Sequence, residues 1–139
     1  MNKFKLEVEY DYDFVLIGIC CHEKDYRICW ALNSKLGLEL SKAPDFEIKD
    51  KKYKDPSRYS LFEYIKEEQY IEFYVIANKS QQVLLIPEHK QADYFLLIKG
   101  IVTTGQKETI IKDIREIPMI LTAFDIDPNE LKSKQNLLF

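Results

Sequence analysis

The chain has 139 residues, of which 46% are hydrophobic and 31% are charged, and its formal net charge is −3. This length and composition fit one globular domain spanning residues 1–139 and argue against intrinsic disorder. The negative charge argues against nucleic acid as a partner, because phosphate backbones attract proteins with a positive field. No apolar run approaches the ~20 residues of a membrane-spanning helix, so we expect no membrane partner and a soluble protein.

Three cysteines, Cys20, Cys21 and Cys29, bear on compartment and chemistry. An odd count with two adjacent residues does not form a disulfide framework, and the N-terminus lacks the apolar core of a signal peptide. Adjacent strand residues point to opposite faces, so Cys20 and Cys21 cannot easily share a tetrahedral metal ion. We therefore expect buried thiols, no metal, no cofactor and a cytoplasmic location. A nucleophilic pair of Cys21 with His89 is the alternative, although His89, like His22, lies in a predicted turn.

The N-terminal third contains two predicted strands and a helix. Apolar and polar residues alternate over 4–10, which predicts a half-buried strand, and the apolar run 14–21 predicts a strand covered on both faces. Apolar residues at four-residue spacing predict a helix over 25–36, capped by Asp25 and ended by Gly37.

The middle of the chain is predicted to be a charged loop followed by a meander. Residues 41–59 are charged, contain two prolines and show poor periodicity, which predicts an exposed loop with a short edge strand at 46–48. Strands are predicted over 60–66, 70–77 and 83–86.

The C-terminal third is predicted to form a βαβ unit. A strand over 92–99 precedes a helix from about 107 to 117, which Pro118 ends. A last strand is predicted over 119–126, with a kinked continuation of the helix as the alternative. Asp127 then caps a short helix that reaches about 134.

Together these elements predict an α+β fold with an antiparallel or mixed sheet of about five to seven strands and two main helices on one face. The stretch from Ile111 to Ile126 resembles the second half of ferredoxin-like modules of the ACT type.

At least three strands are apolar on both faces, while two helices cover only one face of the sheet. The other face therefore needs the N-terminal strand, the C-terminal tail or a second copy of the chain, and we expect a homodimer.

One motif stands out at the start of the most apolar strand. Ile86-Pro87-Glu88 is followed by three free positions and then Asp93-Tyr94. This pattern resembles the bacterial IPExxxVDY family, with Ala92 in place of the family's Val. The resemblance covers most of the chain, and its further parts are Asp11-Tyr12-Asp13-Phe14, Asp25-Tyr26-Arg27 with Trp30 and Asn33, and Leu131-Lys132-Ser133-Lys134. The family implies no particular activity.

The candidate binding residues are Glu88, Asp93, Tyr94 and Trp30. Two nearby carboxylates can share a proton or bind a ligand. The structural alternative is that Glu88 or Asp93 accepts hydrogen bonds from the backbone amides of its own turn and so fixes the strand register. Finding both carboxylates bound to backbone amides would exclude catalysis by the pair. Trp30 is expected in the core, or else in the wall of a cleft close to Glu88.

Two weaker patterns are better explained structurally. Thr103-Thr104-Gly105 precedes a helix and could hold an anion, but we expect a helix cap. Lys51-Lys52-Tyr53-Lys54 interleaves cations with an aromatic ring, as RNA-binding sites do, but Asp50 and Asp55 flank it and we expect a solvated loop.

The sequence thus favours a non-enzymatic module that binds a protein partner or dimerises. The alternative is an ACT-like sensor with a small-molecule pocket near helix 25–36 and the 86–94 turn. A hydrolase using Glu88 and Asp93 is the least favoured function.

Overall fold

The structure is a computed structural model that describes residues 14–81 and 83–137. Within them, six antiparallel strands form one sheet, in the order β2-β3-β4-β5-β1-β6. The strands are β1 (Val15–Cys20), β2 (Ser41–Ile48), β3 (Ser57–Lys66), β4 (Ile71–Ala77), β5 (Tyr94–Lys99) and β6 (Thr122–Ile126), and the helices are α1 (Asp25–Leu36) and α2 (Thr104–Arg115). The predicted α+β class is confirmed, and the predicted strand over 4–10 and turn over 11–13 lie outside the described residues.

The connections are of the split βαβ kind. Strand β1 is antiparallel to both β5 and β6, so β5 and β6 run parallel to each other with β1 between them. In the same way β5 lies between β1 and β4. This is the connectivity of ferredoxin-like folds, with β2 and β3 added as a hairpin at one edge.

Both faces of the sheet are buried, because side chains alternate along the central strands. On one face, Ile17, Leu96 and Ile98 pack against Ile28 and Leu32 of α1, and α2 adds two more isoleucines to this cluster. On the other face, Leu16, Phe95 and Leu97 form a second cluster that contains no residue of either helix. Continuous apolar runs in β1 and β5 are the sequence signature of this double burial.

The chain itself contributes cover to the second face. Leu85, Ile86 and Ala92, from the segment between β4 and β5, belong to its cluster, together with Leu131 and Leu137 near the C-terminus. Leu97 and Phe95 are fully buried beneath them. Cover by the C-terminal tail, one of the expected alternatives, therefore agrees with the structure, and this sheet face gives no separate reason to expect a homodimer.

Helix α1 has the predicted bounds but not the predicted cap. The N-cap position is Lys24, whose side chain makes no capping bond, and Asp25 is the first helical residue. At the other end Gly37 adopts the left-handed conformation (φ 68°) and donates its N–H to the carbonyl of Asn33. Residues with a Cβ rarely adopt that conformation, which explains the glycine.

Several predicted boundaries are corrected. The expected loop 41–59 consists of β2, a turn over 49–56 and the start of β3; its many charges are compatible with a strand because β2 is an edge strand, and Pro44 sits at an irregularity in its register. The expected strand 83–86 is an irregular segment with an isolated bridge between Lys79 and Leu84.

The predicted bounds of the elements in the last third of the chain are also corrected. Helix α2 begins at Thr104 rather than near 107, because Thr103 and Gln106 form a capping box. The strand after Pro118 is confirmed over the alternative of a longer helix, although it starts at Thr122. The expected C-terminal helix is replaced by 3-10 turns at Pro128–Glu130 and Lys134–Leu137.

Candidate functional site

The chain between β4 and β5 contains the motif, and we call residues 85–94 the motif segment. It is organised around Asn78, a fully buried polar residue that directly follows β4. Its side-chain amide donates to the carbonyls of His89 (3.0 Å) and Ala92 (2.9 Å), and its side-chain oxygen accepts the backbone N–H of Ile86 (2.7 Å). Its backbone N–H donates to the Asp93 carbonyl, and its own carbonyl accepts from Leu85. Asn78 therefore satisfies polar groups along the whole segment, which allows irregular backbone to lie on an apolar sheet face.

Glu88 lies in the 3-10 turn Pro87–His89 and binds the C-terminal segment. Its carboxylate accepts the backbone N–H and the hydroxyl of Ser133, both at 2.8 Å. Partial burial raises the pKa of Glu88, but the hydrogen bonds from its own turn and from Ser133 outweigh burial and lower the pKa below its ordinary value.

Asp93 lies just before β5 and holds the end of β1. Its carboxylate accepts the backbone N–H of Cys21 (2.8 Å) and pairs with the ammonium of Lys79 (2.8 Å). The Asp93 backbone N–H also donates to the carbonyl of Ile19. These bonds continue the β1–β5 pairing beyond the strand end.

Tyr94 is buried on the helix side of the sheet. Its hydroxyl donates to the carbonyl of Glu23 (2.7 Å), in the turn that precedes α1. Burial, and then the negative charge of Asp25, raise the pKa of this phenol. Tyr94 thus fixes the start of α1 and is poorly suited to give up a proton.

The two candidate carboxylates therefore have separate structural partners. Glu88 binds Ser133, and Asp93 binds Cys21 and Lys79. Each accepts a hydrogen bond from a backbone amide, but these donors lie in distant segments and not, as expected, in the turn itself. Carboxylates engaged in this way are poorly placed to act together in catalysis.

Trp30 is not a core residue, contrary to expectation. Its side chain is 68% exposed, and it borders an open groove of about 710 Å³ between α1 and the end of α2. We call this groove the Trp30 surface; its lining residues are Arg27, Trp30, Ala31, Ser34, Lys35, Glu116, Ile117, Pro118 and Met119. Trp30 and Glu88 are not brought together, because the segment of Glu88 packs on the sheet face opposite α1.

Charged side chains surround the Trp30 surface in pairs. Arg27 pairs with Glu23 (3.1 Å) at the N-terminal end of α1. At its C-terminal end Lys35 pairs with Glu116 (2.9 Å), which also pairs with Lys112 (3.2 Å). The rim of the groove therefore carries both signs of charge at each end of the helix.

A second groove, of about 770 Å³, lies between the sheet and the first turns of α2. We call it the α2 groove; its lining residues are Gln69, Ile71, Phe73, Ile98, Ile101, Val102, Thr103, Gly105, Gln106, Thr109 and Ile110. Ile101 at its rim is 95% exposed. It does not lie where a ligand pocket was expected, since no residue of α1 or of the 86–94 turn lines it.

The cysteines and histidines make no catalytic or metal constellation within residues 14–81 and 83–137. The three cysteines are free and buried, and burial is the main reason why their thiol pKa values are raised, that of Cys29 to about 12. His89 lies against the ring of Phe124, 5.6 Å away, whereas Cys21 belongs to the core on the helix side. No group of three potential metal ligands occurs in this part of the chain.

The helices within the described residues do not include one that is long and apolar enough to cross a membrane.

The chain matches no model of a protein family and no curated protein.

Sequence reasoning missed two residues that organise the motif segment. Asn78 directly follows the predicted strand 70–77, and an asparagine in such a position is suited to bond nearby backbone groups. Ser133 lies 45 residues from Glu88, and no local pattern joins the two. The position of Trp30 was also missed, because a single tryptophan among apolar helical positions is usually buried.

Proposed function

We propose that this protein is a small non-enzymatic module that binds another protein through the Trp30 surface. The supporting observation is the exposure of Trp30, the chain's single tryptophan, beside a groove with an apolar floor. Most other large apolar side chains of the described sheet and helices are buried or half-buried; the exposed exceptions in these elements are Tyr26 of α1 (59%) and Ile65 of β3.

Aromatic surface that is exposed to water favours association. Burying a solvated indole against a partner lowers the free energy of the complex, and tryptophan is enriched among the residues that dominate binding energy at interfaces. Pro118 and Met119 on the opposite wall of the groove offer further apolar area, and the surrounding ion pairs would form a polar rim.

A role in catalysis is less well supported. Glu88 and Asp93 are engaged by backbone amides, and Tyr94 donates its hydroxyl to a backbone carbonyl. We infer that these three residues hold the motif segment in place. In the same view the IPExxxVDY pattern would mark a shared fold, and membership of that family remains our proposal, resting on the motif alone. The free, buried cysteines support a reducing compartment such as the cytoplasm.

Site-specific photo-crosslinking tests the interaction surface. A photoreactive phenylalanine analogue replaces Trp30 in one variant and Tyr70, an 87% exposed aromatic residue elsewhere, in a control variant. After irradiation in cells, we expect a discrete protein adduct from position 30 and none from position 70. Equal adducts from both positions, or none from position 30, would contradict the proposal.

A small-ligand sensor is the second candidate, and the α2 groove is the observation that favours it. Its volume is in the range of about 300–1,000 Å³ typical of ligand pockets, and its lining is apolar with amide and hydroxyl groups. A thermal-shift screen of uncharged metabolites should then find a compound that raises the melting temperature in proportion to its concentration. The response should disappear in Ile110→Trp, which fills the groove; an unchanged response would place binding elsewhere.

A further inference from the structure

The occupant of the Trp30 surface follows from how its charges are arranged. Trp30 lies at the middle of α1, with a Glu23–Arg27 pair towards one end of the helix and a Lys35–Glu116 pair at the other. A partner of a single charge sign would be attracted by half of this rim and repelled by the other half. The rim therefore suits a partner surface that also alternates in sign.

The same surface of a second chain meets that requirement. In a two-fold symmetric interface each patch faces its own copy, so a contact from residue i to residue j is repeated from j to i. If two α1 helices pack antiparallel about an axis at Trp30, the Arg27 end of one helix lies beside the Glu116 end of the other. Arg27 can then meet Glu116 of the second copy, and Lys35 can meet Glu23.

We propose that two copies of this chain associate through their Trp30 surfaces, with the α1 helices antiparallel and the two tryptophans at the centre. This inference rests on the proposed function, because it names the partner of the same surface. It involves a different surface from the dimer expected from the sequence, in which a second copy would cover the sheet face that residues of the same chain cover here.

Charge reversal with complementation tests the arrangement. In Arg27→Glu, residues 27 and 116 are both acidic; in Glu116→Arg, both are basic. Either variant alone places like charges together twice in the dimer, and we expect its dissociation constant to rise at least about tenfold in sedimentation equilibrium. An equimolar mixture of the two should recover wild-type affinity, because each mixed dimer regains both opposite-charge pairs.

Controls separate this effect from misfolding. Arg58 is as exposed as Arg27 and pairs with Glu47 at the far edge of the sheet, so Arg58→Glu should leave the dissociation constant unchanged. All variants should keep the wild-type circular dichroism spectrum. The emission of the single tryptophan should shift to shorter wavelength as wild-type protein is concentrated, since dimerisation removes the indole from water.

The outcomes distinguish this inference from the function on which it rests. A wild-type chain that remains monomeric, while crosslinking from position 30 captures a different protein, overturns the dimer and leaves the interaction module standing. A monomer with no adduct from position 30 overturns both. A wild-type dimer whose affinity is not restored in the mixture overturns the antiparallel arrangement.

Discussion

The Glu88 carboxylate accepts two hydrogen bonds from Ser133, one from the backbone N–H and one from the hydroxyl, and so joins segments that are 45 residues apart. The first segment follows Asn78 across the sheet, and the second contains Leu131 and Leu137 of the same apolar cluster. A single carboxylate thereby couples the two pieces of chain that cover one face of the sheet.

The Glu88 bonds should make stability depend on pH. The folded-state pKa of Glu88 is lowered, so its carboxylate stabilises the native state above the unfolded pKa of about 4.5, and this contribution is lost as the pH falls through the folded pKa. We expect Glu88→Gln to lower the free energy of unfolding at pH 7, and its difference from wild type to shrink as the pH falls below about 4.5. Urea titrations at pH 7 and at a series of acidic pH values measure this. In a Ser133→Ala background the Glu88→Gln change should have a smaller effect, and equal effects in both backgrounds would show that the two residues do not interact.

Replacing Asn78 by Ala should be strongly destabilising. The substitution leaves the N–H of Ile86 and the carbonyls of His89 and Ala92 without their partner in a buried environment. We expect a loss of about 3 kcal/mol in the free energy of unfolding, from the usual cost of orphaned buried polar groups. Asn129 is exposed, so Asn129→Ala serves as the control and should change stability by less than about 0.5 kcal/mol. A loss of similar size in both variants would contradict the role of Asn78.

Replacing Trp30 by Ala should leave the stability of the single chain nearly unchanged. Because the indole is mostly exposed, its removal creates no cavity, and a change within about 0.5 kcal/mol is expected at concentrations where the chain is monomeric. Chemical denaturation followed by circular dichroism measures it. A loss of several kcal/mol, of the size seen for buried aromatic residues, would mean that Trp30 belongs to the core after all.

Gly18 should tolerate no side chain without movement of Phe124. A Cβ built on Gly18 would lie 2.6 Å from the tip of the Phe124 ring, the residue opposite it on β6. We expect Gly18→Val to cost about 2 kcal/mol through overpacking. In a Phe124→Leu background the cost should fall, because the shorter side chain vacates that space, and thermal unfolding of the four proteins tests this. An undiminished cost would point to a clash other than with Phe124.

The thiols should be unreactive in the native state. Burial raises the pKa of Cys29 to about 12 and also raises those of Cys20 and Cys21, so little thiolate is present near neutral pH. With a colorimetric disulfide reagent at pH 8, we expect slow reaction of the native protein and rapid titration of three thiols in denaturant. Fast native reaction of one thiol would indicate an activated cysteine.

The ranges of α1, β4 and β5 were close to their predicted positions because local periodicity reports burial on one or two faces. The double burial of β1 and β5 followed from the same signal. Prediction failed where tertiary context overrides composition. Strand β2 is charged and contains a proline, yet it forms a strand because the backbone groups on one of its edges pair with β3 and those on the other edge are hydrated. Residues 83–86 are apolar but irregular, because the N–H groups of Leu85 and Ile86 bond to Asn78 instead of to a neighbouring strand.

The sequence by itself determined an α+β class with two helices, an antiparallel or mixed sheet, buried cysteines and a motif turn, since each of these leaves a local pattern of spacing or composition. Only the tertiary structure decided that Glu88 meets Ser133, that Asn78 holds the motif segment, and that Trp30 faces solvent. These facts depend on which segments cover each face of the sheet. That choice is made by long-range packing, for which neighbouring residues carry no signal.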